Sequence, residues 1–180
     1  MSNLTPEKLY KIQASLPEFR ALDTIRNRKG LSTNDKQQWS RLYAELLTLF
    51  DAAPDFQEES RKSLRLPIRM RVNFSINREQ FFTMSHDLSV HGISVNCHHS
   101  VPLATLASVE IGIQSSRLLG LWRSRSVKIP GKIIWTSERH NRIAFEFDGI
   151  STAQRLTIED CLYLQMENQL SLHIEQERNI

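Results

Sequence analysis

Two short stretches of this 180-residue chain carry side chains able to recognise an anion. In "SRKSLRLPIRMRV", Arg61, Lys62, Arg65, Arg69 and Arg71 fall within residues 60–72, with no acidic residue among them. Arg61 and Arg65 stand four positions apart. An arginine offers several donors in a rigid planar fork, which fits phosphate oxygens and the O6/N7 acceptor edge of guanine. In "HDLSVHG", Asp87 and Ser89 alternate with Leu88 and Val90, so they share one side of a strand. Asp87 offers carboxylate acceptors to the N1–H and N2–H2 edge of guanine, and Ser89 offers a hydroxyl. Gly92 permits a tight turn or the close approach of a ligand. Each stretch alone also has a plain structural reading. Charge at a strand entry keeps an edge soluble, and Asp and Ser stabilise turns.

The elements that position these groups fall into three blocks. Residues 1–60 read as helical. Thr5 caps and Pro6 starts a first helix, with Leu9, Ile12 and Leu16 on one face; Pro17 is expected to restart the chain. Trp39, Leu42, Tyr43, Leu46, Leu49 and Phe50 then repeat at three and four, the mark of an amphipathic helix. After the acidic stretch "DAAPDFQEES", the period changes to two: Ile68, Met70, Val72 and Phe74 alternate with Arg69, Arg71 and Asn73. Further strands are expected in "QFFTMSHDLS", "GISVNC", "LASVEIGI", "GLWRSRSVKIPGKIIW" and "RIAFEF". Several short strands in this length suggest a small closed antiparallel barrel. The last block, from Ser151 or Thr152 onward, holds neither Gly nor Pro, and Ile158, Leu162, Met166, Leu170 and Ile174 form an i, i+4 ladder. So long a stripe calls for packing on the N-terminal helices or on another copy of the chain, a homo-oligomer through the C-terminal helix.

Charge is unevenly spread. Residues 61–148 carry 13 Lys and Arg against 6 Asp and Glu, whereas residues 1–60 carry 8 against 9 and residues 149–180 carry 2 against 5. A basic middle block favours anionic partners: nucleotides, nucleic acid or an anionic membrane. No apolar run approaches the ~20 residues of a membrane span. The opening "MSNLTPEKLYKIQ" lacks the apolar core of a signal peptide, and Cys97 and Cys161 suggest no disulfide framework, so a cytoplasmic location is expected. His86, His91, Cys97, His98 and His99 match no familiar zinc spacing. Arg117, Arg123, Arg125, Lys128 and Lys132 with Trp122 form a second basic region, read as solvated strand faces or as a contact for RNA or acidic protein. No acid–base pair or triad emerges, so no enzyme, metal or cofactor is expected.

Taken together, Arg61-x-x-x-Arg65 followed by Asp87-x-Ser89-x-x-Gly92 resembles the PilZ domain family. "GKIIWTSERHNRIAFEF", with Trp135 and Phe147, looks like the late hairpin of that family, and the resemblance spans roughly residues 60–150. It implies a six-stranded antiparallel barrel (65–150) behind a linker carrying the arginine motif (56–64); with the N-terminal helical region (1–55), which matches nothing in the family pattern, and the long C-terminal helix (151–178), the chain is expected to be α+β. The resemblance also implies binding of the bacterial messenger cyclic di-GMP, with Arg61 and Arg65 as a clamp ahead of the first strand. Lys62 would attract phosphate, and Asp87, Ser89 and Gly92 would form the platform that reads a guanine. Ser60, where an arginine accompanies a stacked ligand pair in the family, leans toward one ligand. Binding would draw the clamp onto the platform, reorient the N-terminal helices and change the surface offered to a downstream protein partner. The rival readings are an interaction adaptor with an idle ligand site and a nucleic-acid-binding barrel.

Overall fold

Alternating apolar residues build a sheet that closes on itself. The computed structural model describes residues 5–50, 64–114 and 124–178, so the expected linker lies outside them apart from Leu64. The described strands are β1 (Arg65–Leu66), β2 (Arg71–Ile76), β3 (Glu79–Ser89), β4 (Gly92–Asn96), β5 (Leu106–Gln114), β6 (Ser124–Ser137) and β7 (Arg142–Phe147). Three α-helices accompany them: α1 (Pro6–Lys29), α2 (Thr33–Leu47) and α3 (Thr152–Arg178). Pairing runs β3–β2–β5–β6–β7–β4 and back to β3, a closed six-stranded antiparallel barrel, with β1 added beside β3. Closure leaves those six strands without a free edge. The chain divides into two units, Arg65–Leu162 and Met1–Leu64 with Tyr163–Ile180.

In the barrel unit, Val72, Phe74, Leu88, Ile93, Ile133 and Phe145 point inward and are buried. At about 1.5–3 kcal/mol per fully buried large apolar side chain, this core is the main stabilising term. The β2–β3 hairpin turns on Asn77 and Arg78, both in the left-handed region at φ 50° and 72°, between the paired Ile76 and Glu79. A two-residue turn of this kind matches the twist of its strands.

The alternation from Ile68 to Phe74 holds in burial, but the strand does not begin at Ile68. Residues 67–70 leave the ladder, and β2 starts at Arg71. Pro67 has no N–H to give, Ile68 N–H folds back to Leu66 O at 2.9 Å, and the buried Ser85 hydroxyl fills the break. It donates to Ile68 O at 2.6 Å and accepts from Met70 N–H at 2.7 Å. Arg69 and Arg71 are exposed, as the alternation required.

Ser151 caps α3 with a reciprocal pair: Gln154 N–H donates to Ser151 Oγ at 3.2 Å, and Ser151 N–H to Gln154 Oε1 at 2.8 Å. The side-chain amide of Gln154 donates to Lys128 O on β6, and the Cys161 thiol meets Met70 Sδ at 3.8 Å. These contacts fix the first turns of α3 on the barrel, and burial pushes the Cys161 thiol up to about 11.

In the helical unit, α1 runs unbroken through Pro17, where the sequence pattern pointed to a restart. Leu9, Ile12, Phe19 and Leu22 are buried on both sides of the proline. A continuous apolar stripe offsets the roughly 3 kcal/mol that an interior proline costs. Ser32 caps α2, accepting from Asp35 N–H at 3.3 Å. Trp39 packs against Phe19 and Tyr43 with ring centroids 5.7 and 4.9 Å apart. One carboxylate joins three helices. Asp23 of α1 accepts from Trp39 Nε1–H of α2 at 3.0 Å and from the Tyr163 hydroxyl of α3 at 3.0 Å. Met166 and Leu170 of α3 are likewise buried, and His173 meets Leu49 O at 3.0 Å. That part of the ladder is covered within one chain, on the N-terminal helices.

Candidate functional site

Arg65 is in the sheet rather than ahead of it. It occupies β1 and pairs with Ser89, while the next pair, Leu66 and Leu88, is core. Residues paired directly across neighbouring strands face the same side of a sheet. Because Leu66, Leu88, Ile93 and Phe145 point inward, Arg65, Asp87, Ser89, Ser94 and Ala144 all face outward. Two rows therefore cross the outer surface. The first is Arg65–Ser89–Gly92–Glu146–Lys132, and the second is Asp87–Ser94–Ala144–Trp135.

Two irregularities aim the second row. On β3 the register passes from Ser85↔Val95 to Asp87↔Ser94, leaving His86 as an extra residue. On β6 it passes from Ile133↔Phe145 to Trp135↔Ala144, leaving Ile134 extra. Bulges of this kind re-aim side chains. Here one brings Asp87 outward and the other Trp135, which is 45% exposed. Between them Ser94 and Ala144 are small and buried, so the row is low at its centre and raised at its ends.

Asp87 is the chemical centre. Its Oδ2 accepts the Ser94 hydroxyl at 2.6 Å, and His86 Nδ1 lies 3.5 Å from the same oxygen. Its Oδ1 lies 3.5 Å from an Arg65 guanidinium nitrogen and, although buried, accepts no hydrogen bond. The Asp87 side chain is 18% exposed and that of Arg65 32%. A buried acceptor with an unused lone pair is costly and calls for a donor. One half of this carboxylate is anchored by Ser94, and the other half has only the Arg65 ion pair.

Ser89 braces the turn: its hydroxyl donates to Gly92 O at 3.2 Å and accepts His91 N–H at 3.4 Å. Gly92 serves close approach rather than turn geometry. Its φ lies outside the left-handed region, but a Cβ there would sit 2.3 Å from Phe145 O on β7. The glycine lets β4 and β7 run together directly beneath the site.

The fold thus brings Arg65, Asp87, Ser89 and Gly92 onto one face; Arg61 and Lys62 lie outside the described residues. Sequence reasoning missed Ser94 and Ala144 as neighbours of the site and left Trp135 as a landmark only. A signal for Ser94 existed. The two-residue turn Val90–His91 fixes Ser89 opposite Gly92 and hence Asp87 opposite Ser94. Of the second basic region, Arg117, Trp122 and Arg123 lie outside the described residues, and Lys128 and Lys132 are exposed on β6. The Cys97 thiol is buried against His99 O at 3.6 Å. Among the described residues no three His, Cys, Asp or Glu side chains gather as metal ligands, and no helix is long and apolar enough to cross a membrane.

No curated protein matches the chain. Solved structures do match. The inhibitor of motility MotI/DgrA of Bacillus subtilis is 15% identical, with a TM-score of 0.49 over 59% of this chain and 51% of that one. This chain therefore spans about half the length of the inhibitor. The PilZ domain of CeSA from a cellulose-synthesizing bacterium is 17% identical, with a TM-score of 0.43 over 58% of this chain and 99% of that one. A tetrameric PilZ protein of Xanthomonas campestris, self-assembled via a helical bundle, is 15% identical, with a TM-score of 0.38 over 91% of this chain and 79% of that one. The PilZ domain family model matches residues 59–164, more than half of the sequence, and with its closed six-stranded antiparallel barrel this chain belongs to the PilZ domain family.

Proposed function

We propose that the chain is a receptor for cyclic di-GMP that binds without catalysis. The observation that carries this reading is the state of Asp87: one oxygen anchored by Ser94, the other buried, without a hydrogen bond, 3.5 Å from Arg65. The ligand is complementary to this arrangement. A guanine N1–H and N2–H2 edge supplies donors for Oδ1, and the ligand phosphates supply acceptors for the Arg65 fork.

The site is half preformed. Arg65 is held by β1 beside Ser89, so it waits in place, and Arg61 and Lys62 would add their charge when the ligand arrives. Engagement of that segment would reorient the N-terminal helices and alter the surface shown to a downstream protein. Calorimetric titration of the full chain with cyclic di-GMP tests the reading. The expected result is one saturable site, weakened at least about tenfold by Arg65→Ala and by Asp87→Ala, since each charge-assisted hydrogen bond contributes about 1.5–3 kcal/mol. Absence of heat in the unsubstituted protein, or affinities unchanged in both variants, would remove the receptor reading and leave the idle-site adaptor.

A further inference from the structure

The outer face holds a third row that neither motif includes. Asn96 of β4 pairs with Arg142 of β7, and Arg142 pairs with Ser137 of β6. Val95 and Ile143 point inward and are buried, so Asn96 and Arg142 face outward beside Ser94 and Ala144. Arg142 is half-buried, and among the described residues its guanidinium has neither an ion-pair nor a hydrogen-bond partner. Its nitrogens are not among the buried unpartnered atoms, so the stem is covered while the fork stays accessible to an acceptor.

Its position relative to Asp87 is fixed by the register. Arg142 lies two strands away from β3 and two residues along, which separates the two Cα atoms by about 12 Å, from strand spacings near 4.8 Å and a rise near 3.3 Å per residue. Both residues stand on the outer face, with the small Ser94 and Ala144 between their strand positions. Trp135 pairs with Ala144 from β6 on the same outer face and is exposed there.

We propose that Arg142 is a specificity-determining residue of the ligand site: its fork donates to O6 and N7 of the guanine whose N1–H and N2–H2 edge is accepted by Asp87. This rests on the receptor reading. A carboxylate and a fork on adjacent edges of one base distinguish guanine from adenine, which carries an amino donor where guanine has O6. The role needs a planar fork rather than a positive charge.

The test is calorimetry on the full chain with Arg142→Gln, Arg142→Lys and, as a control, Arg139→Gln in the exposed β6–β7 turn, using cyclic di-GMP and cyclic di-AMP. Both Arg142 variants should lose about tenfold or more in affinity for cyclic di-GMP. Their preference for the guanine ligand over the adenine ligand should fall by a similar factor, with unchanged melting temperatures. Arg139→Gln should bind like the unsubstituted chain. Wild-type affinity in both Arg142 variants overturns the inference. So does full recovery in Arg142→Lys, an unchanged guanine preference, or an equal loss in Arg139→Gln. If the unsubstituted chain itself fails to bind, the receptor reading falls and this inference with it, an outcome separate from the others.

Discussion

Asp23 and Asp87 are both withdrawn from water, yet they serve opposite ends. Asp23, in the helical unit, is 2% exposed and surrounded by donors: Trp39 Nε1–H, the Tyr163 hydroxyl and the Asn27 amide at 3.3 Å. Asp87, on the barrel, has one short hydrogen bond and one buried oxygen with none. The first is a finished knot that fixes three helices. The second is an unfinished one, with an ion pair to Arg65 at 3.5 Å in place of a hydrogen bond on its second oxygen. What separates the two carboxylates is the balance of donors more than burial, and on the receptor reading that balance is what leaves Asp87 available to a ligand.

The sharpest way to break the comparison is to delete each carboxylate and measure stability. Asp23→Ala strands the indole N–H and the Tyr163 hydroxyl in a buried setting, at about 1–3 kcal/mol for each unsatisfied donor. Several kcal/mol should be lost in urea unfolding followed through the helical signal, making this the largest single-residue effect expected. Asp87→Ala should cost less, about 1–2 kcal/mol, because it strands one buried hydroxyl, that of Ser94, while Arg65 and His86 are part-exposed and stay solvated. Equal losses in the two variants would mean that Asp87 is a structural tie as well.

Gly92→Ala sharpens the barrel side. A methyl group 2.3 Å from Phe145 O cannot be accommodated without moving β4 from β7. A cost of about 1–3 kcal/mol is expected, as for overpacking elsewhere. Because Ser89 donates to the Gly92 carbonyl, the same displacement should weaken ligand affinity. A variant with native stability and native affinity would show that the close approach does not constrain the site.

The two regions also differ in how far the sequence disclosed them. The barrel was legible because its rules are local: a period of two, turn residues between strands, and a spaced motif whose residues share a face. Ser94 was legible in principle from the two-residue turn. The break at residues 67–70 was not, because it depends on Ser85, fifteen positions from Met70, reaching across to replace ladder bonds. Nor was the row from Asp87 to Trp135, which needs the register of four strands and two bulges at once. In the helical unit the Trp39 stripe was clear from its period, whereas Pro17 misled because local propensity was overridden by burial on both sides of it. The Asp23 knot joins residues 140 positions apart in sequence, beyond the reach of any spacing argument.

The smallest expected effect is a pH dependence carried by Asp23. Burial raises its pKa above 3.8, against the opposing pull of Tyr163, Trp39, Arg26 and Asn27. A carboxyl group whose folded pKa lies above its unfolded value binds protons more tightly in the folded state. Its contribution to stability is therefore fully present below 3.8 and is lost as pH rises through the raised folded value. Asp23→Asn has no such titration and keeps one acceptor oxygen among the three donors. The free energy of unfolding, measured from pH 3 upward, should fall in the unsubstituted chain relative to Asp23→Asn across that window and run parallel to it above. Curves that stay parallel throughout would mean that the three surrounding donors fully offset desolvation, and that the knot is as comfortable charged as neutral.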